Sequence, residues 1–268
     1  MKLAVVDFQK KKTGECSLPG QFQEDYRPDL IKRAVHAVQS SDRQPYGANP
    51  HAGLGYSSKT SKRRRDYRGT YGFGISRVAR KILSRRGMRM FWVGATTPQT
   101  VGGRRSHPPK AEKIWLQHIN AKENKKGLRS AISAVFNKAI VLKRGHKVPA
   151  DYPFIVQQKI EEIVKTSELE NILMALGFQE ELQRSAIKKV RAGHGKGRGR
   201  KYQHKKGLLI VVSQECPAIK AAENIPGLDM VPVRALNAHL LAPGAAPGRI
   251  TLWTEKAIEA VSKHNLFN

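Results

Sequence analysis

Acidic residues are scarce in this chain of 268 amino acids, where 21 Asp and Glu stand against 49 Lys and Arg for a formal charge of +28. Cysteine is rarer still, with only Cys16 and Cys216. Two thiols so far apart cannot form a CxxC unit, a disulfide framework or a four-ligand zinc site, so both are read as ordinary reduced cysteines. No run approaches the roughly 18 apolar residues of a membrane span. The start, MKLAVVDFQKKK, lacks the apolar stretch and cleavage site of a signal peptide, so a cytosolic chain without a membrane partner is expected. What is present suffices for folding: 40% hydrophobic residues can build one core, which excludes a wholly disordered chain.

The charge is unevenly placed. Residues 43–113 hold 17 Lys and Arg with only Asp66 and Glu112 as acids, and residues 184–206 hold ten with no acid. The remaining 174 positions carry 22 basic and 19 acidic residues, which is close to balance. Blocks of like charge repel themselves and are usually interaction segments, so an anionic partner is implied. The stretch 47–74, GANPHAGLGYSSKTSKRRRDYRGTYGFG, shows no sustained helical or alternating apolar period. It reads as a long functional loop that does not fold alone.

Elsewhere apolar strands alternate with amphipathic helices. Strands are expected at 3–8, 153–157, 208–213, 229–233 and 250–253, and helices at 29–38, 127–142, 166–177, 179–190, 218–224 and 255–261. The continuous run LLIVVS at 208–213 suits the middle of a parallel sheet, and Pro232 demotes 229–233 towards an edge. The alternation predicts a three-layer α/β/α domain with a mainly parallel central sheet, formed by 1–42 and 114–268 and interrupted by a long extended basic loop at 43–113. The segment 184–206 is a second basic insertion.

Catalytic and small-ligand motifs are missing. The glycines of GHGKGRG at 193–199 fit neither GxxxxGK[ST] nor GxGxxG, no HExxH occurs among nine His, and no Ser or Cys sits in a GxSxG setting. Neither an enzyme nor a cofactor is expected. His107, His194 and His204 fall within the basic segments, where a polyanion contact suits them better than a metal.

Arginine dominates the first segment: Arg63, Arg64, Arg65, Arg68, Arg77, Arg80, Arg85, Arg86, Arg89, Arg104 and Arg105 follow Arg43. Tyr67, Tyr71, Phe73, Phe91 and Trp92 are interleaved as stacking groups. A planar guanidinium forks onto phosphate and stacks on bases, which favours structured RNA. The rivals are weaker on their own terms. A nuclear-targeting run needs only KRRR at 62–65, and membrane attachment needs a continuous apolar helix face, for which 75–90 offers a turn or two. DNA binding would show a helix-turn-helix, basic zipper or zinc finger, and none is visible.

Five blocks then become specific: RQPYGANPHAG at 43–53, YGFGISRVARK at 71–81, VGGRRSHPPKAEKIW at 101–115, RAGHGKGRGRKYQHKKGLLIVVS at 191–213 and LAPGAAPGRITLWTE at 241–255. In this order they resemble the family of large-subunit ribosomal protein number four, in its archaeal and eukaryotic form. The short stretch after Trp253 looks archaeal, and ILSRRGMRMFWVG is bulkier than the family pattern. The resemblance implies a structural protein of the cytoplasmic ribosome that binds large-subunit rRNA, supports assembly and touches neighbouring large-subunit proteins. It further implies that the loop tip, within 69–89, meets the nascent peptide at the wall of the exit tunnel, with Arg77, Arg80, Arg85 and Arg86 foremost. Lys81 joins that RNA-facing set, as do His107 and Lys110 in the returning arm. Lys196, Arg198, Arg200, Lys201, Lys205 and Lys206 form the second RNA contact.

Overall fold

The computed structural model describes residues 2–60, 62–66, 69–87 and 89–268. Arg68, one of the expected RNA-binding residues, and Tyr67, one of the expected stacking groups, lie outside them. In chain order the elements are β1 (Lys2–Val6), β2 (Lys12–Ser17), α1 (Pro28–Ser41), β3 (Arg80–Arg86), β4 (Arg89–Gly94), α2 (Ala121–Phe136), α3 (Lys138–Lys143), β5 (Ile155–Val156) and α4 (Thr166–Ala175). There follow α5 (Gln179–Ala186), β6 (Lys189–Val190), β7 (Tyr202–Gln203), β8 (Leu209–Val212), α6 (Pro217–Glu223), β9 (Asp229–Pro232), α7 (Ala238–Leu241), β10 (Thr251–Thr254) and α8 (Glu255–Lys263). Contacts divide the chain into two units: Met1–Asp42 with Leu116–Asn268, and Arg43–Trp115.

The first unit is an α/β fold around a six-stranded sheet ordered β2-β1-β5-β10-β8-β9. All neighbours pair in parallel except β2, which runs antiparallel to β1 at one edge. Successive side chains on a strand point to opposite faces, and both faces here are covered. Leu3, Val5, Leu209, Val211 and Trp253 pack with α1, α2 and α8, while Val6, Ile210, Val212 and Leu252 pack with α4 and α6. Burial on both sides explains why β8 is apolar at all four positions. Pro232 ends the opposite edge strand, β9, which pairs only with β8 and so needs no further backbone donor.

Local chemistry sets the helix ends. Pro28 opens α1 where its missing N–H costs nothing, with Asp29 in the first turn. Thr254 ends β10 and accepts a hydrogen bond from Ala257 N, which starts α8 without a linker. Gly127 faces α1, where an added Cβ would stand 3.2 Å from Leu30 O and 3.3 Å from Ala34 Cβ, so the two helices cross at close range.

Three expectations are corrected. The helix expected over 127–142 is two helices, because Asn137 leaves helical geometry (φ −88°, ψ 101°) and its side chain accepts from Ala139 N to cap α3. The apolar face is redirected there: Val141 is buried, while Leu142, which a single helix would place on the same face as Leu128 and Val135, is exposed. The helix expected over 179–190 stops at Ala186, and Lys189 and Val190 pair instead with Gln203 and Tyr202. Ile187 and Val190 are exposed, so extending the helix would have buried nothing. The third is an omission: the edge strand β2, KTGECS, has too little apolar alternation to announce itself.

Trp253 lies at the centre of one core, fully buried, with Phe22 edge-on at 4.9 Å. Its indole N–H has no acceptor among the described residues. Trp253→Ala is expected to lower the unfolding free energy by about 3–5 kcal/mol. Trp253→Phe should cost clearly less, because it also removes a buried donor that has no partner. Urea denaturation followed by circular dichroism measures both.

Candidate nucleic-acid interface

In the unit Arg43–Trp115 the outgoing and returning arms are pressed together. A Cβ on Gly47 would lie 2.6 Å from Ala111 N, and one on Gly53, whose φ is +76°, would lie 2.5 Å from Arg104 N. Ala48 N donates to Pro109 O at 2.9 Å. Only glycine permits such backbone approach. At the chain ends of this neck, Tyr46 stacks on Trp115 with ring centroids 5.4 Å apart, and the Arg43 guanidinium and Lys113 ammonium lie 4.0 and 4.4 Å from the Trp115 ring centre. Sequence reading left out this aromatic cluster, although Tyr46 and Trp115 each stand inside a block that carried the resemblance.

Beyond the neck, β3 and β4 form an antiparallel hairpin with a bulge between Ile82 and Ser84. The turn or two of helix envisaged over 75–90 is not formed: 75–79 is irregular and strand begins at Arg80. The hairpin's signal was the alternation in RMFWVG, where Met90 and Trp92 are half-buried and Arg89, Phe91 and Val93 are exposed. Arg80 lies over Trp92 at 5.2 Å, Arg77 over Tyr71 at 4.2 Å and Lys81 over Tyr56 at 3.5 Å. The rings of Tyr71 and Trp92 thus carry cations already, whereas Phe73 and Phe91 remain exposed.

Arg85, Arg86 and Arg89 gather at the closed end of the hairpin, where Arg86 pairs directly across from Arg89. Arg80 pairs with Gly94 at the open end. With six residue steps from Arg80 to Arg86, the two ends lie about 20 Å apart. Arg77 precedes the open end, so the four arginines expected at one tip fall into two groups. Like charges opposite one another weaken a hairpin. Arg63, Arg64, Arg65, Arg104, Arg105, His107 and Lys110 are exposed, while Arg80 and Lys81 are half-buried.

The second basic segment is a small ribbon. Between β6 and β7 the chain makes a turn of 3-10 helix, His194–Arg198, flanked by Gly193 and Gly199 with φ of +75° and +78°. Arg191 N donates to Lys201 O at 2.8 Å, and Lys188 lies 3.9 Å from the Tyr202 ring centre. Lys196, Arg198, Arg200, Lys201 and Lys205 are exposed on it.

Both ends of the ribbon are tied to carboxylates that sequence reading missed, Glu181 buried and Asp229 half-buried. Glu181, fully buried, accepts from Arg184 Nη2 at 2.6 Å, from Arg184 Nε at 2.8 Å and from Lys147 N at 2.9 Å. His146 Nδ1 lies 2.7 Å from the same carboxylate and acts as donor to it. Arg184 Nη2 also donates to Lys206 O at 2.8 Å. At the other end Lys206 pairs with Asp229 at 3.0 Å, and the buried Arg249 reaches Asp229 at 2.5 Å while Nε donates to Gly207 O at 2.8 Å. Lys206, expected on RNA, therefore holds a carboxylate of its own sheet. Burial alone would raise the Glu181 carboxyl, but the hydrogen bonds from Arg184, His146 and Lys147 N hold it at about 2. Burial also depresses His146, so its imidazole is neutral at pH 7.

Among the described residues no group of three or more His, Cys, Asp and Glu is placed to hold a metal ion, and no helix is long and apolar enough to cross a membrane.

A family model described as the ribosomal protein L4/L1 family matches residues 16–264. The large ribosomal subunit protein uL4 of Nanoarchaeum equitans is 46% identical over 268 residues, covering the whole of both chains. That of Archaeoglobus fulgidus is 43% identical over 260 residues, 97% of each chain. The Methanothrix thermoacetophila protein is 40% identical over 264 residues, 98% of this chain and 99% of its own.

The buried carboxylate makes the fold acid-sensitive. With Glu181 at about 2 in the folded state against an ordinary value of 4.5, its contribution is complete above pH 4.5 and lost as pH falls to 2. That contribution is on the order of 3 kcal/mol. Glu181→Gln is expected to destabilise the chain at pH 7 and to remove this part of the pH dependence, as urea midpoints measured from pH 7 to 2 will read out.

Proposed function

The chain belongs to the ribosomal protein L4/L1 family, and from that premise we propose how its unbalanced charge is used. It is a structural protein of the large ribosomal subunit, is not an enzyme, and works in cytoplasmic ribosomes. Within that subunit it binds rRNA, contacts neighbouring ribosomal proteins and supports assembly. Residues 43–113 enter the RNA as an arm separate from the α/β domain of 1–42 and 114–268, and 184–206 makes a second contact. The hairpin end bearing Arg85, Arg86 and Arg89 meets the RNA deepest and contributes to the wall of the exit tunnel, beside the nascent peptide.

One observation carries this reading: 17 cations share a segment with two carboxylates. The segment therefore carries a formal excess of 15 positive charges, and the anion that balances it must come from elsewhere. Phosphate is the anion that suits arginines spaced by glycine and aromatic residues. Arg63, Arg64, Arg65, Arg68, Arg77, Arg80, Lys81, Arg104, Arg105, His107 and Lys110 are assigned to RNA on the same ground. So are Lys196, Arg198, Arg200, Lys201 and Lys205 of the ribbon, whereas Lys206 contributes only the part of its charge that Asp229 leaves.

Replacing residues 56–100 with a short Gly-Ser linker keeps both neck glycines and is expected to leave the α/β domain folded. Affinity for large-subunit RNA should fall by orders of magnitude, and the slope of log affinity against log salt should flatten by roughly 0.7–0.9 for each phosphate contact removed. An unchanged slope would refute the assignment of this segment to RNA. In a gentle lysate the protein should sediment with large subunits, and limited proteolysis should cut 55–100 in the isolated protein but not in the ribosome. Sedimentation apart from large subunits, or equal protection in both states, would count against the reading.

A further inference from the structure

The neck contains a cleft of about 700 Å³, within the size range of ligand pockets. Tyr46 and Trp115 line it together with Arg105, His107, Lys110 and Glu112, and Pro108 and Pro109 form part of its wall. We propose that this cleft seats one unpaired nucleobase of RNA, stacked on the outer face of Tyr46, with the flanking phosphates drawn by Arg105, His107 and Lys110. The inference rests on the reading of the chain as an RNA-binding protein and names a subsite within it.

Trp115 is the fixed back of the site, because Tyr46 stacks on it and Arg43 and Lys113 lie over its ring. Tyr46 is different: it is 54% exposed, and Trp115 is its one ring neighbour among the described residues. Its backbone is held in place by the adjacent Gly47, which rests against Ala111. A flat aromatic surface is therefore presented at a fixed position, half open, with cations around it. A nucleotide uses both features at once, since the base stacks while the phosphates meet Arg105, His107 and Lys110. Glu112 gives the lining an acceptor for an amino or imino edge of the base. Bases inside an A-form helix have both faces covered by their neighbours, so the occupant is a splayed-out, single-stranded base.

Titrating the full chain onto protein-free large-subunit RNA at several salt concentrations tests this. Tyr46→Leu should weaken binding between about 5- and 150-fold at every salt concentration without changing the slope, because stacking releases no counterions. Tyr46→Phe should keep the affinity, and Arg105→Gln should flatten the slope by about one contact. If the unaltered chain binds and Tyr46→Leu binds equally well, the base site is wrong while the RNA reading stands. If the unaltered chain does not bind RNA, the reading itself fails and takes the site with it. Ultraviolet crosslinking of the unaltered complex decides the matter should Tyr46→Leu misfold. A nucleotide remnant on the peptide containing Tyr46 supports the site, and remnants confined to other peptides overturn it.

Discussion

Like charges cannot be packed against one another without a counter-charge, and this single constraint divides the molecule. A sheet buried on both faces tolerates a charge only where a partner meets it. The near-balanced part of the chain forms that sheet, with Arg249 buried against Asp229. The surplus is kept out of the sheet, and the segment at 43–113 that holds most of it packs through glycine contacts and aromatic rings. Cation and ring pairs suit such a segment because they need no acid and still fix the direction of an arginine. Arg43, Arg77 and Arg80 are held in this way over Trp115, Tyr71 and Trp92.

The buried polar groups under the ribbon have a different task. Arg184 and Lys206 frame the second basic segment, and each is paired with a carboxylate, Arg184 with Glu181 and Lys206 with Asp229, which Arg249 shares. The ribbon between them thus leaves α5 and leads into β8 at two fixed points, with its cations exposed between them. Replacing such a network with apolar side chains is often neutral for stability. Its value here is positional, since Arg249 also binds Gly207 O, the carbonyl at which the ribbon returns to β8.

Much of this was legible in the sequence. Continuous apolar runs such as LIVV named the central strands, helical spacing named α1, α4 and α8, and the acid-free blocks named the segments outside the sheet. Errors arose where a short-range preference overrode the periodicity. Asn137 capped a new helix inside a pattern that read as one, and Lys189 and Val190 found a strand partner instead of an apolar face. The hairpin of β3 and β4 was hidden because its alternation is carried by Met90 and Trp92 among arginines. Glu181, Asp229 and Arg249 gave no signal at all, because pairing between residues far apart along the chain leaves no local pattern. The aromatic neck was missed for the same reason: Tyr46 and Trp115 meet only once the two arms have been brought together.

The contacts of Gly47 with Ala111 and Gly53 with Arg104 have one more consequence. They close the arm at its base, so the ends of everything beyond Gly53 are held at a separation that its length does not set. Doubling the length of a flexible closed loop costs only about 0.6 kcal/mol in closure entropy. The arm is therefore a cassette whose length can change at little energetic cost while its base stays closed.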